Sequence, residues 1–227
     1  MKRFAVSFAA FLCAALILSV TAFAAEKITA YDGIKSSYYA DKSASFGKEI
    51  DITDSYETFG VQAKAKTDEL IPIYYTDTES AEKLQNMFTE ISRGKSLESF
   101  LIPKNQYFAF AYDGDKIVGY CILSDKLEMQ EVGELNEFNN PTLRLNSKAT
   151  KALSSIDLNS ASAKYCIISG FAVGTLIYDS NSEFFIPSVE CLETADVLSV
   201  GSVYRVSDLS TISTQMPEKS PNSLDEN

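Results

Sequence analysis

The apolar pattern changes period several times along the chain, and each change marks an element. Residues 4–20 form an unbroken run of apolar and small side chains behind Lys2 and Arg3. Residues 25–59 are rich in Ser, Tyr, Lys and Asp and show little apolar periodicity, which predicts an extended leader over 25–45 and a short strand near 49–52. Residues 60–65 and 70–75 read as strands, and Pro72 places the second at a sheet edge or a bulge. The period then turns helical. Thr76 and Glu79 have capping-box spacing, Ala81, Leu84, Met87, Phe88 and Ile91 share one helical face, and Gly94 ends it. A short turn over 97–102 stops at Pro103.

Two apolar runs, 107–112 and 116–123, flank Asp113-Gly114 and predict a β-hairpin. A two-residue turn there would put Phe108, Phe110, Ile117 and Cys121 on one face, and Ala109, Val118, Tyr120 and Ile122 on the other. Both faces are apolar, so the hairpin belongs in the middle of its sheet, covered on both sides. Residues 127–138 fit a strand or a loop. Beyond Pro141, Asn146 or Ser147 caps a short helix carrying Ala149, Leu153 and Ile156, and a second β region spans 164–186. Tyr120-Cys121-Ile122-Leu123-Ser124 is echoed by Tyr165-Cys166-Ile167-Ile168-Ser169, which suggests neighbouring strands whose Cys121 and Cys166 could pair as a disulfide, although the default for cysteines in such apolar surroundings is a small buried core residue. Residues 213–227 carry Pro217, Pro221 and a polar end with nothing to bury, the pattern of a disordered tail.

These elements add up to a single α+β domain over 46–212, a mostly antiparallel sheet packed against one main helix and one shorter helix. A helix followed by a meander suits a cystatin-like or NTF2-like arrangement.

The first 24 residues read as an export signal: a basic start, an apolar core, and a small-x-small site at Ala22-Phe23-Ala24. If that segment were kept as an anchor instead, the rest of the chain would still lie outside. Cleavage leaves 203 of 227 residues and removes Lys2 and Arg3 but no acid, so 20 basic and 31 acidic groups become 18 and 31, a net of −13. Such a surface repels phosphate backbones and anionic headgroups, which excludes nucleic acid as a partner and leaves the membrane only through a retained anchor.

The chain has no histidine and no tryptophan. Without histidine there is no Ser-His-Asp or Cys-His machinery, and Cys121, Cys166 and Cys191 are too scattered for a zinc site. The Ser-x-x-Lys pairs at Ser45/Lys48 and Ser92/Lys95 lack the companion elements of penicillin-binding enzymes. Asp179, Asn181, Glu183 and Glu190 fall at positions 1, 3, 5 and 12 of an EF-hand-like frame. They are the metal-ligand candidates of the sequence, although Phe184 replaces the glycine that such a loop needs at position 6. Glu128, Glu131, Glu134 and Glu137 recur every third residue, as a helical stripe or an acidic loop. Tyrosines such as Tyr107, Tyr120 and Tyr165 lie in strand patterns, where tyrosine is a good β residue.

The stretch from Asp113 to Tyr120 resembles the strand-turn-strand of GNAT-family acetyltransferases over about a dozen residues. Membership would imply a downstream Arg/Gln-x-x-Gly-x-Gly/Ala loop holding the coenzyme A pyrophosphate. Gly133, Gly170, Gly174 and Gly201 do not have that spacing, so the stretch reads as a hairpin and no cofactor is expected. The function that remains is an exported, non-catalytic module binding an extracellular protein or small ligand. Its alternative is a carboxylate-dependent extracellular hydrolase, with two acids across a cleft and one of them desolvated.

Overall fold

A computed structural model describes residues 38–56, 62–135, 153–157, 160–189, 198–199 and 201–213. The predicted export signal 1–24, most of the leader, the body of the predicted helix after Pro141, Glu137, Glu190, Cys191 and the tail from 214 onward lie outside them. The architecture is α+β in a single domain: a mixed sheet with few helices.

The strands are β1 (Glu49–Asp51), β2 (Lys64–Lys66), β3 (Ile71–Tyr75), β4 (Ile102–Asp113), β5 (Lys116–Ser124), β6 (Met129–Gly133), β7 (Ser162–Ile168), β8 (Ala172–Tyr178), β9 (Glu183–Val189) and β10 (Tyr204–Arg205). The helices are α1 (Ser43–Phe46), α2 (Thr53–Tyr56), α3 (Ala81–Ser92) and α4 (Leu209–Ser213). Among the described residues every strand pair is antiparallel except β3 with β7, whose parallel register (Ile73 to Tyr165, Tyr75 to Ile167) makes the sheet mixed. Strand β4 is the spine. Along one edge it pairs with β5, and along the other with β2 and then β3, which meet it as one strand interrupted at residues 67–70. The order β6-β5-β4-β3-β7-β8-β9-β10 follows, with β1 beside β2. The predicted leader is tied in near its end, because Ala40 bridges Leu70 and Tyr38 is buried.

The hairpin forms, but its faces differ from the prediction. The turn residues are Gly114 and Asp115, with only Gly114 at positive φ, the requirement of a II′ turn. The register then slips: Tyr112 pairs with Ile117 while Ala111 pairs with Gly119, so Val118 is an extra residue. One bulged residue exchanges the two sides of everything beyond it. Phe108, Phe110, Tyr120 and Ile122 therefore share one face, and Ala109, Ala111, Cys121 and Leu123 the other.

That second face is covered in two halves. Under β2, β4 and β5, Ile52 and Tyr56 pack on Ala65, Ala109, Ala111, Cys121 and Leu123. Under β7, β8 and β9, the apolar stripe of α3 (Leu84, Met87, Phe88, Ile91) packs on Cys166, Ile168, Phe171, Leu176 and Phe185. Burying each such side chain contributes roughly 1.5–3 kcal/mol. The cap of α3 is Ser80, which accepts from the Lys83 N–H at 3.2 Å, not Thr76. Thr76 is instead buried, bonded to Thr78 and Ser169, and joins the end of β3 to the β7–β8 turn.

The two cysteines are separate thiols, both buried. Strands β5 and β7 are not neighbours, since β4 and β3 lie between them and set them three strand spacings apart, roughly 14 Å. A disulfide cannot span that distance.

Candidate functional site

The opposite face of the sheet carries a groove of about 450 Å³ lined by side chains from five adjacent strands, with β6 at its rim. Strand alternation puts Tyr120 and Ile122 of β5, Phe108 of β4, Ile73 of β3, Tyr165 and Ile167 of β7 and Val173 of β8 on this one face. Phe108 lies parallel to Tyr120 with ring centroids 5.2 Å apart, and meets Tyr165 edge-on at 6.1 Å. Lys104, Gln106, Gln130 and Glu131 supply the polar rim. Its volume lies within the roughly 300–1,000 Å³ of small-molecule sites, and seven of its eleven lining side chains are apolar or aromatic.

The two tyrosine hydroxyls differ. Tyr120 donates to Glu131 Oε1 at 2.8 Å, so the rim of β6 is fixed to the groove floor. Burial, then that carboxylate, push the Tyr120 phenol up to about 12. Tyr165 is 7% exposed, and among the described residues its hydroxyl makes no hydrogen bond to the protein. Burial pushes its phenol far above the ordinary tyrosine value, with smaller contributions from Cys166 and Tyr120, so it stays protonated.

A second, polar cleft of about 460 Å³ lies between the end of α3, the β8–β9 turn and the Arg205–Ser207 segment. Glu98 and Glu183 both line it. Burial raises the Glu183 carboxyl above its usual range, against the lowering effect of two backbone donors, and Glu98 adds to the rise. Both acids are already committed. Glu183 accepts from Leu97 N–H at 2.8 Å and Glu98 N–H at 3.2 Å, capping the 3₁₀ turn Glu98–Phe100. Glu98 accepts from Lys164 Nζ at 2.6 Å, and that ammonium also lies over the Tyr74 and Tyr178 rings.

The EF-hand-like residues do not converge. Asp179 closes the β8–β9 turn by accepting from the N–H groups of Asn181 and Ser182, Asn181 is exposed in that turn, Glu183 caps the 3₁₀ turn, and Glu190 lies outside the described residues. Among the described residues no three Asp, Glu or Cys side chains are grouped to hold a metal ion. The acidic series is no helical stripe either: Glu128 follows the turn after β5, and Glu131 is in β6.

The sequence carried one signal for the groove, the Tyr-Cys-Ile echo read above as a cysteine pairing. Its tyrosines and isoleucines, Tyr120, Ile122, Tyr165 and Ile167, form two walls of the groove, while the cysteines between them point into the other face. Strands β5 and β7 run in the same direction, so the two copies present the same side chains in the same sense. No protein-family model, curated protein or solved structure matches this chain.

Proposed function

We propose that the chain is an exported, non-catalytic binding domain that holds a small, largely apolar ligand in the groove between the β5 and β7 walls. The observation that carries this reading is the groove itself: five adjacent strands contribute aromatic and aliphatic side chains to one concave surface with a polar rim. The export signal, the acidic mature chain and the absence of histidine support it. The alternative of a carboxylate-dependent hydrolase would rest on Glu98 and Glu183. It is the weaker reading, because each carboxylate is held by bonds that stabilise the fold.

The test is a fluorescence titration with the neutral dye N-phenyl-1-naphthylamine. Purified protein should bind it saturably at one site. Filling the groove with Val173→Trp should weaken binding by about tenfold or more, equivalent to roughly 1.4 kcal/mol, while circular dichroism stays unchanged. Equal titrations of the two proteins would reject the groove as the binding surface.

A further inference from the structure

We infer that the groove selects uncharged, mainly apolar molecules bearing a hydrogen-bond acceptor such as a carbonyl or ether oxygen, and that the Tyr165 hydroxyl is the donor that meets it. This rests on the groove being the binding surface and adds the chemistry that chooses the ligand.

Three observations lead here. Tyr165 is more than nine-tenths buried in the groove wall, yet its hydroxyl has no protein partner among the described residues. Buried polar groups are nearly always bonded, and among the described residues no side-chain nitrogen or oxygen that is fully shut off from the surface lacks a partner, so a Tyr165 oxygen without a partner must reach open space. The Tyr165 oxygen therefore belongs to the open space of the groove, where a ligand atom takes the place of water.

The neighbouring hydroxyl offers no equivalent. Tyr120 already donates to Glu131, so its proton is committed at the rim. Of the two hydroxyls among the described lining residues, Tyr165 is thus the one whose proton is available to a ligand. Because burial keeps this phenol protonated, it presents O–H, and a phenolic oxygen is a better donor than acceptor.

The surroundings disfavour charge at this hydroxyl. Ile73, Phe108, Ile122, Ile167 and Val173 line the groove together with Tyr165, and the charged side chains among the lining residues are Lys104 and Glu131, of which Glu131 is bonded to Tyr120. An ionic group at the Tyr165 position would lose water among these apolar side chains, and the lining cation, Lys104, is exposed at the rim, whereas a neutral acceptor loses little water and gains a bond in low dielectric.

The test compares 2-acetylnaphthalene with 2-isopropylnaphthalene, probes of nearly the same shape in which a carbonyl oxygen replaces a methyl group. Dissociation constants of both are measured for the wild-type protein and for Tyr165→Phe, which removes an atom with no protein partner. The ketone-to-hydrocarbon preference should be roughly 2- to 12-fold greater in the wild type than in the variant, the span expected for one net hydrogen bond. The ratio cancels the different water affinities of the two probes. If both probes bind the wild type saturably and the preference is the same in Tyr165→Phe, Tyr165 is not the selecting donor and the groove reading stands. If neither probe binds the wild type saturably, the groove reading and this inference fail together.

Discussion

Replacing Tyr56 with phenylalanine isolates a single hydroxyl that holds the β6 edge of the sheet. That hydroxyl approaches two backbone carbonyls on adjacent strands, Tyr120 O at 2.5 Å and Gly133 O at 3.2 Å. The ring is 2% exposed and phenylalanine keeps its volume, so the substitution opens no cavity. The loss is that of the donor, with carbonyls left short of a partner where water has little access, which costs roughly 1–3 kcal/mol. For a domain of this size that corresponds to a fall in Tm of roughly 2–12 °C. Urea unfolding followed by circular dichroism should show a lower midpoint with an unchanged slope, because the folded and unfolded surfaces stay the same. Amide exchange should quicken across Met129–Gly133, since the latch joins that strand to β5. Gly119→Ala probes the same space. A Cβ at residue 119 would stand 2.5 Å from Gly133 O and 2.6 Å from the Tyr56 hydroxyl, so it displaces either a strand or the latch. The double variant should cost less than the sum of the two, because the first change removes one of the atoms the second collides with. A loss below about 0.5 kcal/mol for Tyr56→Phe, under the ordinary worth of one bond, would refute the latch. Strict additivity with Gly119→Ala would refute the shared space.

Two further perturbations test the ionisable groups. Cys121 and Cys166 are both pushed up to about 12 by burial, from an ordinary 9, so the folded protein keeps protons that the unfolded chain releases. Stability is therefore intact below pH 9 and falls above it, by about 1.4 kcal/mol per pH unit for each thiol. The Cys121→Ala/Cys166→Ala variant should delay the onset to near pH 10, where Tyr56 and Tyr120, both raised to about 12, begin to act in the same sense; an unchanged onset would contradict the assignment. Glu183→Ala leaves the Leu97 and Glu98 N–H groups without their acceptor and should cost roughly 1–3 kcal/mol, with Glu183→Gln milder because it keeps one acceptor oxygen. Since the folded Glu183 carboxyl is raised above 4.5, the wild type should gain on the Gln variant as pH falls through the raised value toward 4.5. A gap between the two proteins that is flat from pH 7 to 4 would show that Glu183 is not desolvated.

Local pattern determined much of this protein. The 3.6-residue spacing of Leu84, Met87, Phe88 and Ile91 gave the buried face of the main helix, because periodicity reports directly on burial. The Asp-Gly dipeptide between two apolar runs gave the hairpin, whose strands both have neighbours on either side, but one of its apolar faces lines the groove and is not covered as expected. The zero count of histidine removed whole classes of chemistry without reference to any fold. Tertiary structure decided the rest, wherever the outcome depended on one residue of register or on which strands lie side by side. The bulge at Val118 moved Tyr120 and Ile122 to the face of Phe108, and period-2 alternation carries no mark of an extra residue. Two strands inserted between β5 and β7 turned an apparent cysteine pair into the two walls of a groove, because the order of strands in a sheet is set by long-range packing and not by resemblance between segments. The sequence alone thus held Tyr165 as one more strand tyrosine, and only the assembled sheet placed it, buried and protonated, in the lining of the groove.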